Sequence, residues 1–112
     1  MSGITYEYME EYLRGLIGES KGKLKELEDF AKENKVPIVQ KETAKFLEFM
    51  VSMKKPLKIL ELGTAIGYSS ILMYEASKTN PDIITIERSK EMIDLATKNI
   101  EKFNLQDKIS IK

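Results

Sequence analysis

The chain has 112 residues, room for one small domain, and its 42% hydrophobic and 32% charged residues are an ordinary balance for a soluble globular protein. Its 18 lysines and arginines are matched by 18 aspartates and glutamates, so net charge gives no argument for a nucleic-acid or membrane partner, although a local basic patch is compatible with an RNA substrate. With no cysteine and no histidine, disulfides, thiolate metal sites, cysteine nucleophiles and imidazole bases are excluded, which leaves carboxylates, lysines, hydroxyls or a bound cofactor to carry any chemistry.

Met1 to Glu11 holds three glutamates and no apolar core of the secretory kind. No apolar run approaches the roughly 18 residues that a membrane span needs, so a cytoplasmic location is the expectation. Met9, Tyr12, Leu13, Leu16 and Ile17 recur at helical spacing and predict a first amphipathic helix, broken at Gly18 and Ser20. Leu24, Leu27, Phe30 and Ala31 predict a second, closed near Asn34. Lys35-Val36-Pro37-Ile38 is a connector, because a residue before proline avoids helical angles. Thr43, Phe46, Leu47, Met50 and Val51 give a third helix, ended by Lys54, Lys55 and Pro56.

The pattern then changes. Lys58 to Leu62 reads as a short buried strand ending at Gly63, Ile66 to Ala76 as a helix, and Asn80-Pro81-Asp82 as a turn. Ile83 to Ile86 is a second strand. Ser89 caps a helix from Lys90 to Phe103, with Met92, Ile93, Ala96, Ile100 and Phe103 on one face. After a turn at Asn104 to Asp107, Ile109-Ser110-Ile111 begins a third strand. The fold class is therefore α/β: N-terminal helices over 1–56, then a β-α-β-α-β parallel, Rossmann-like unit over 57–112. A parallel sheet normally buries both faces, and two crossover helices cover only part of one, so the domain reads as incomplete.

Glu61-Leu62-Gly63-Thr64-Ala65-Ile66-Gly67 forms a strand end, a glycine-bearing loop and a helix start. Gly63 permits a sharp turn and close approach of a ligand, and Gly67 permits close packing where loop meets helix. Ser69 and Ser70 fall in the first helical turn, where backbone N–H groups and the helix dipole favour an anion such as a carboxylate. Glu87 ends the next strand, placed to accept hydrogen bonds from ribose hydroxyls. Each feature has a plainer reading: a tight turn, a surface acid at Glu87, a Glu61–Lys58 pair. The combination in one unit is what points to a nucleoside ligand. It is neither the dinucleotide fingerprint, since Ala65 stands two after Gly63, nor a P-loop, since no Gly-Lys-Ser/Thr follows.

Ile59 to Ser69 resembles the first motif of the cation-dependent, catechol- and caffeoyl-CoA-type O-methyltransferases, which are class I S-adenosylmethionine-dependent enzymes. Thr85-Ile86-Glu87-Arg88 resembles their second motif, and Val36 to Val39 resembles the segment before the core in bacterial members. The similarity runs from about Tyr8 to Lys112 and is greatest to the bacterial tRNA 5-hydroxyuridine methyltransferases. It implies that Gly63 borders S-adenosylmethionine with its backbone, Ser69 bonds the methionine carboxylate, Glu87 binds the ribose hydroxyls and Val39 contacts the methionine end. Tyr68 is implied either to pack beside the cofactor or to be a buried core residue, and Arg88 to be solvated.

The family's aspartates for a divalent cation, usually magnesium, its lysine base and its acid after the third strand match nothing in these 112 residues. The resemblance therefore implies the N-terminal half of an O-methyltransferase, without a catalytic residue or metal ligand of its own and with magnesium expected only in the full-length parent. The alternatives are a non-catalytic nucleotide-binding or assembly module complemented by another chain, and a dehydrogenase-like enzyme, which Ala65 disfavours. The family's strand order, 3-2-1-4-5-7-6, makes Lys58 to Leu62 an open edge. That predicts a homo-oligomer formed through this edge or through swapped N-terminal helices, unless those helices fold over it.

Overall fold

The computed structural model describes residues 6–17 and 22–112, so the predicted break at Gly18 and Ser20 lies outside the described residues. Three helices, α1 (Glu7–Ile17), α2 (Gly22–Glu33) and α3 (Lys41–Lys54), precede β1 (Lys58–Leu62), α4 (Tyr68–Ala76), β2 (Asp82–Ile86), α5 (Lys90–Lys102) and β3 (Ile109–Ile111). The sheet is parallel with order β1-β2-β3, and Lys58 to Leu62 pair in register with Asp82 to Ile86. This is the expected α/β architecture. No described helix is long and apolar enough to cross a membrane.

Alternation along the strands decides what is buried. Ile83 and Thr85 of β2 and Ile109 of β3 face the helices and are almost fully enclosed. They join Ile66 and Ile71, Ile100 of α5, and Leu27 and Ala31 of α2 in one core. The intervening residues face away: Leu60 is 68% exposed, Leu62 77%, Ile84 44% and Ile86 38%. The expectation that Lys58 to Leu62 is a buried strand is thus corrected. Helices cover one face only, and β1 is also the sheet's edge.

Of the three N-terminal helices, α2 turns its predicted stripe inward with Leu27 and Ala31, α3 does so only in part, and α1 does not. Met9, Tyr12, Leu13 and Leu16 of α1 are all exposed, and Glu10 is buried instead. On α3 the buried positions are Ala44 and Val51, while Phe46 and Phe49 are exposed. α1 packs on α3, α3 on α4 and α2 on α4, so these helices stack outward from α4 while Leu57, Leu60 and Leu62 along the β1 edge stay exposed.

α4 begins at Tyr68, two residues later than its sequence predicts. Gly67, at φ 87°, occupies the cap position in the left-handed region and so cannot belong to the helix. α5 begins as expected, with the Ser89 side chain accepting the Met92 N–H at 3.3 Å.

Candidate nucleoside-binding site

β1 and β2 end side by side, and the loops that leave them lie at the carboxyl end of the sheet, where open parallel sheets bind ligands. The first loop is pinned to the second strand: Gly63 and Thr64 both donate N–H bonds to the Ile86 carbonyl, at 2.8 and 3.2 Å. It then takes three left-handed residues, Gly63 (φ 90°), Ala65 (φ 48°) and Gly67 (φ 87°). A Cβ on Gly63 would meet nothing within 4 Å, so this residue is needed for its angle and leaves open space beside the backbone. At Gly67 a Cβ would stand 3.5 Å from Ala96 of α5, an ordinary contact, so the left-handed angle and not the close packing anticipated from the sequence is what calls for glycine here.

Four of the five residues singled out by sequence come together. Val39, Gly63, Tyr68 and Ser69 line a cleft of about 260 Å³ with Pro37, Ile38, Thr64 and Ala65. Glu87 lines the adjoining cleft of about 600 Å³, which shares Pro37 and Ala65 with the first. A further cleft of about 740 Å³ between α1 and α3 is bounded by Leu13, Leu16, Phe46 and Phe49.

Glu87 is held rather than loose. One carboxylate oxygen accepts the Ala65 N–H at 2.9 Å, and the other accepts those of Ser89 and Arg88 at 3.0 and 3.2 Å. The Ala65 contact, followed by that of Ser89, keeps its pKa below the usual glutamate value, against a smaller opposing effect of burial. A carboxylate has about four lone-pair sites, so a diol arriving here shares or displaces bonds already made.

Glu61 does not pair with Lys58. It accepts hydrogen bonds from the hydroxyls of Ser69 and Ser70 and, at 2.8 Å, from Thr85. Tyr68 is 4% exposed, and its hydroxyl donates to Glu28 of α2 at 2.5 Å, so one residue both lines the cleft and ties the helical segment to the loop. Arg88 is exposed, as expected. Sequence reasoning missed Ala65, whose N–H joins the two loops, as well as Thr64, Thr85, Glu28 and Asn99, whose amide donates to the Ile66 carbonyl at 2.8 Å. Only Thr85 carried a signal, as a polar residue at an inward position of an apolar strand.

An open backbone loop, a helix start without a side-chain cap and a fixed carboxylate at the next strand end suit a ligand with an anionic end and a hydroxyl-bearing end. Among the described residues, no group of three or more His, Cys, Asp or Glu side chains is arranged to hold a metal ion.

Comparison with known proteins gives the same direction. A family model described as O-methyltransferase matches residues 17–112. A catechol O-methyltransferase of Niastella koreensis is 30% identical over 114 aligned positions, covering 100% of this chain and 52% of that protein. A candidate caffeoyl-CoA O-methyltransferase of Staphylococcus aureus is 32% identical with a TM-score of 0.84, over 95% of this chain and 50% of its own. An O-methyltransferase of Bacillus cereus, solved in complex with SAH (S-adenosylhomocysteine), is 27% identical with a TM-score of 0.78, over 94% of this chain and 49% of its own. The chain spans about half the length of each of these relatives.

Proposed function

The chain belongs to the O-methyltransferase family of the catechol and caffeoyl-CoA type, and from that footing we propose that its two loops hold S-adenosylmethionine for methyl transfer to a hydroxyl oxygen. The observation that carries the reading is the joint cleft: Val39, Gly63, Tyr68 and Ser69 on one side of Ala65, and Glu87 on the other. Gly63 and the α4 start would receive the amino-acid end, Val39 would wall it, and Glu87 would receive the ribose. S-adenosylmethionine, when bound, supplies an electrophilic methyl group; the residues of this chain bind and orient it. The structure's own features fit such a ligand, because the loop leaves space at Gly63 and the first turn of α4 offers N–H groups.

Support for the acceptor is the family likeness alone. We propose a hydroxylated acceptor, with 5-hydroxyuridine in tRNA as the first to assay, and magnesium as a requirement of the full-length enzyme in a cytoplasmic setting. The 112-residue chain by itself is expected to bind the cofactor weakly, because the acid after the third strand that would help place the adenine matches nothing in it, and to transfer no methyl group, because it has no histidine, no cysteine and no match to the family's later aspartates.

A second reading, a binding module completed by another polypeptide, is favoured by one observation, the bare face of Leu60, Leu62, Ile84 and Ile86 beside the β1 edge. On either reading the chain is proposed to self-associate through that edge when alone.

The test is binding of labelled S-adenosylmethionine by equilibrium dialysis, with methyl transfer measured in parallel. Glu87→Ala is expected to weaken binding by about 1–3 kcal/mol, the scale for polar groups left unpaired. Unchanged affinity in that variant removes Glu87 from the site, and methyl transfer above a no-protein control overturns the inactivity of the isolated chain.

A further inference from the structure

The cofactor cleft has one wall tied by hydrogen bonds and one held without them. On the loop side, Gly63 and Thr64 bond the Ile86 carbonyl and Ala65 bonds Glu87. The other wall is the connector from α2 to α3. Its ends are anchored: the Val36 N–H donates to the Ala31 carbonyl at 2.9 Å, and the Gln40 carbonyl accepts the Ala44 N–H at 2.8 Å. Between them, Pro37, Ile38 and Val39 make no hydrogen bond to any described residue. The half-buried side chains of Ile38 and Val39, packed against the core, hold this stretch in place. It also has room to move. The same three residues line both the cleft of about 260 Å³, with Gly63 and Ser69, and a cleft of about 500 Å³, with Glu28, Ala31 and Lys32 of α2. They form a partition between two open spaces. At one end of the partition Lys35 is left-handed, at φ 54°, an angle that few residues with a side chain adopt and that turns the chain sharply.

We propose that Pro37 to Val39 form a strap, hinged at Lys35-Val36 and at Gln40, that swings toward α2 to admit and release the ligand of the cofactor cleft. The part that concerns the ligand rests on the cofactor reading above. Size gives one reason. The cleft of about 260 Å³ falls short of the roughly 300–1,000 Å³ typical of ligand sites, so it widens to be filled. Cost gives the other. Opening breaks no hydrogen bond of the strap and uncovers two half-buried aliphatic side chains. Moving the glycine loop instead breaks its bonds to Ile86 and Glu87. Of the two walls, the strap is the one with the lower local stability and therefore the one that yields.

A fixed wall that loses a contact changes mainly the dissociation rate, whereas a gate changes association and dissociation together. The experiment measures both rates for S-adenosylhomocysteine by NMR line-shape analysis on the 112-residue chain. Ile38→Ala loosens the strap and is expected to raise both rates by about three-fold or more, with a smaller change in affinity. Gln40→Pro stiffens it, since Gln40 sits at φ −70° and its N–H has no partner among the described residues. That variant is expected to lower both rates by a similar factor. Unchanged association rates in both variants overturn the proposal. A second readout needs no ligand. Relaxation dispersion on the microsecond-to-millisecond scale is expected at the Ile38 and Val39 amides of the free chain, to be absent from Gly63 to Ala65, and to shrink in Gln40→Pro. Flat dispersion at Ile38 and Val39 overturns the proposal whether or not the ligand binds. A moving strap in a chain that gives no response to S-adenosylhomocysteine supports the hinge motion and counts only against the cofactor reading.

Discussion

The two faces of the sheet are built from the same strands and the same residue types, yet they meet opposite environments. On one face Ile83, Thr85 and Ile109 lie under α4, α5 and α2, each at most 3% exposed. On the other, Leu60, Leu62, Ile84 and Ile86 are between 38% and 77% exposed. Successive residues of β2 alternate between the two, so Ile83 is buried and Ile84, its neighbour, is not. Strands apolar on both faces are the pattern of parallel sheets covered on both sides. A strand can therefore be apolar at every position while only half of its residues carry the stability of the described chain.

The largest test of this contrast is a pair of truncations. Ile83→Ala is expected to cost about 2–5 kcal/mol in urea unfolding, the range for emptying a packed site. Ile84→Ala is expected to stay within about 0.5 kcal/mol, as exposed substitutions usually do. Equal costs would mean that the bare face is covered in solution, and the contrast would fail.

The next effect is on assembly. An apolar strand edge beside an apolar face invites pairing, and lysine is a common natural remedy. Leu60→Lys with Leu62→Lys is expected to raise the concentration at which light scattering shows association by at least about ten-fold, an effect of about 1.4 kcal/mol. A wild-type chain that remains a 12.9 kDa monomer at high concentration would show that the edge needs no partner.

The smallest effect sharpens the contrast at the carboxyl end of the sheet. The folded pKa of Glu87 is lowered, so its contribution is complete above the unfolded value and is lost as pH falls through the folded one. Amide exchange at Ala65 is therefore expected to accelerate, relative to an amide in the sheet such as Ile83, only as pH drops below about 4.5. Loss of protection near neutral pH would mean that Glu87 does not hold the loop.

Much of this was legible in the sequence, and what was missed has a common cause. The positions of the strands, the Ser89 cap and the two glycines depend on neighbours within a few residues, and the structure has them where the pattern predicts. The α1 stripe of Met9, Tyr12, Leu13 and Leu16 is equally regular, but periodicity tells only that a helix has an apolar side, not whether anything lies against it. The start of α4 moved from Ile66 to Tyr68 because the Ile66 carbonyl is taken by Asn99, 33 residues away, and Gly67 is left-handed. The partners of Glu61 likewise stand 8, 9 and 24 positions along the chain. Of the residues that line the two clefts, sequence singled out Val39, Gly63, Tyr68, Ser69 and Glu87 and missed Thr64 and Ala65, and the hydrogen bonds that aim them depend on contacts that only folding brings together.

The central claim, that the loops after β1 and β2 form one S-adenosylmethionine site, is tested most directly by mapping S-adenosylhomocysteine onto the chain by NMR, which registers weak binding. The account predicts chemical-shift changes concentrated at Val39, Gly63 to Ser69 and Glu87 to Ser89, with the exposed face of Leu60 and Ile84 unmoved. Shifts confined to the α1–α3 cleft around Leu16 and Phe49, or no shifts at millimolar ligand, would contradict it.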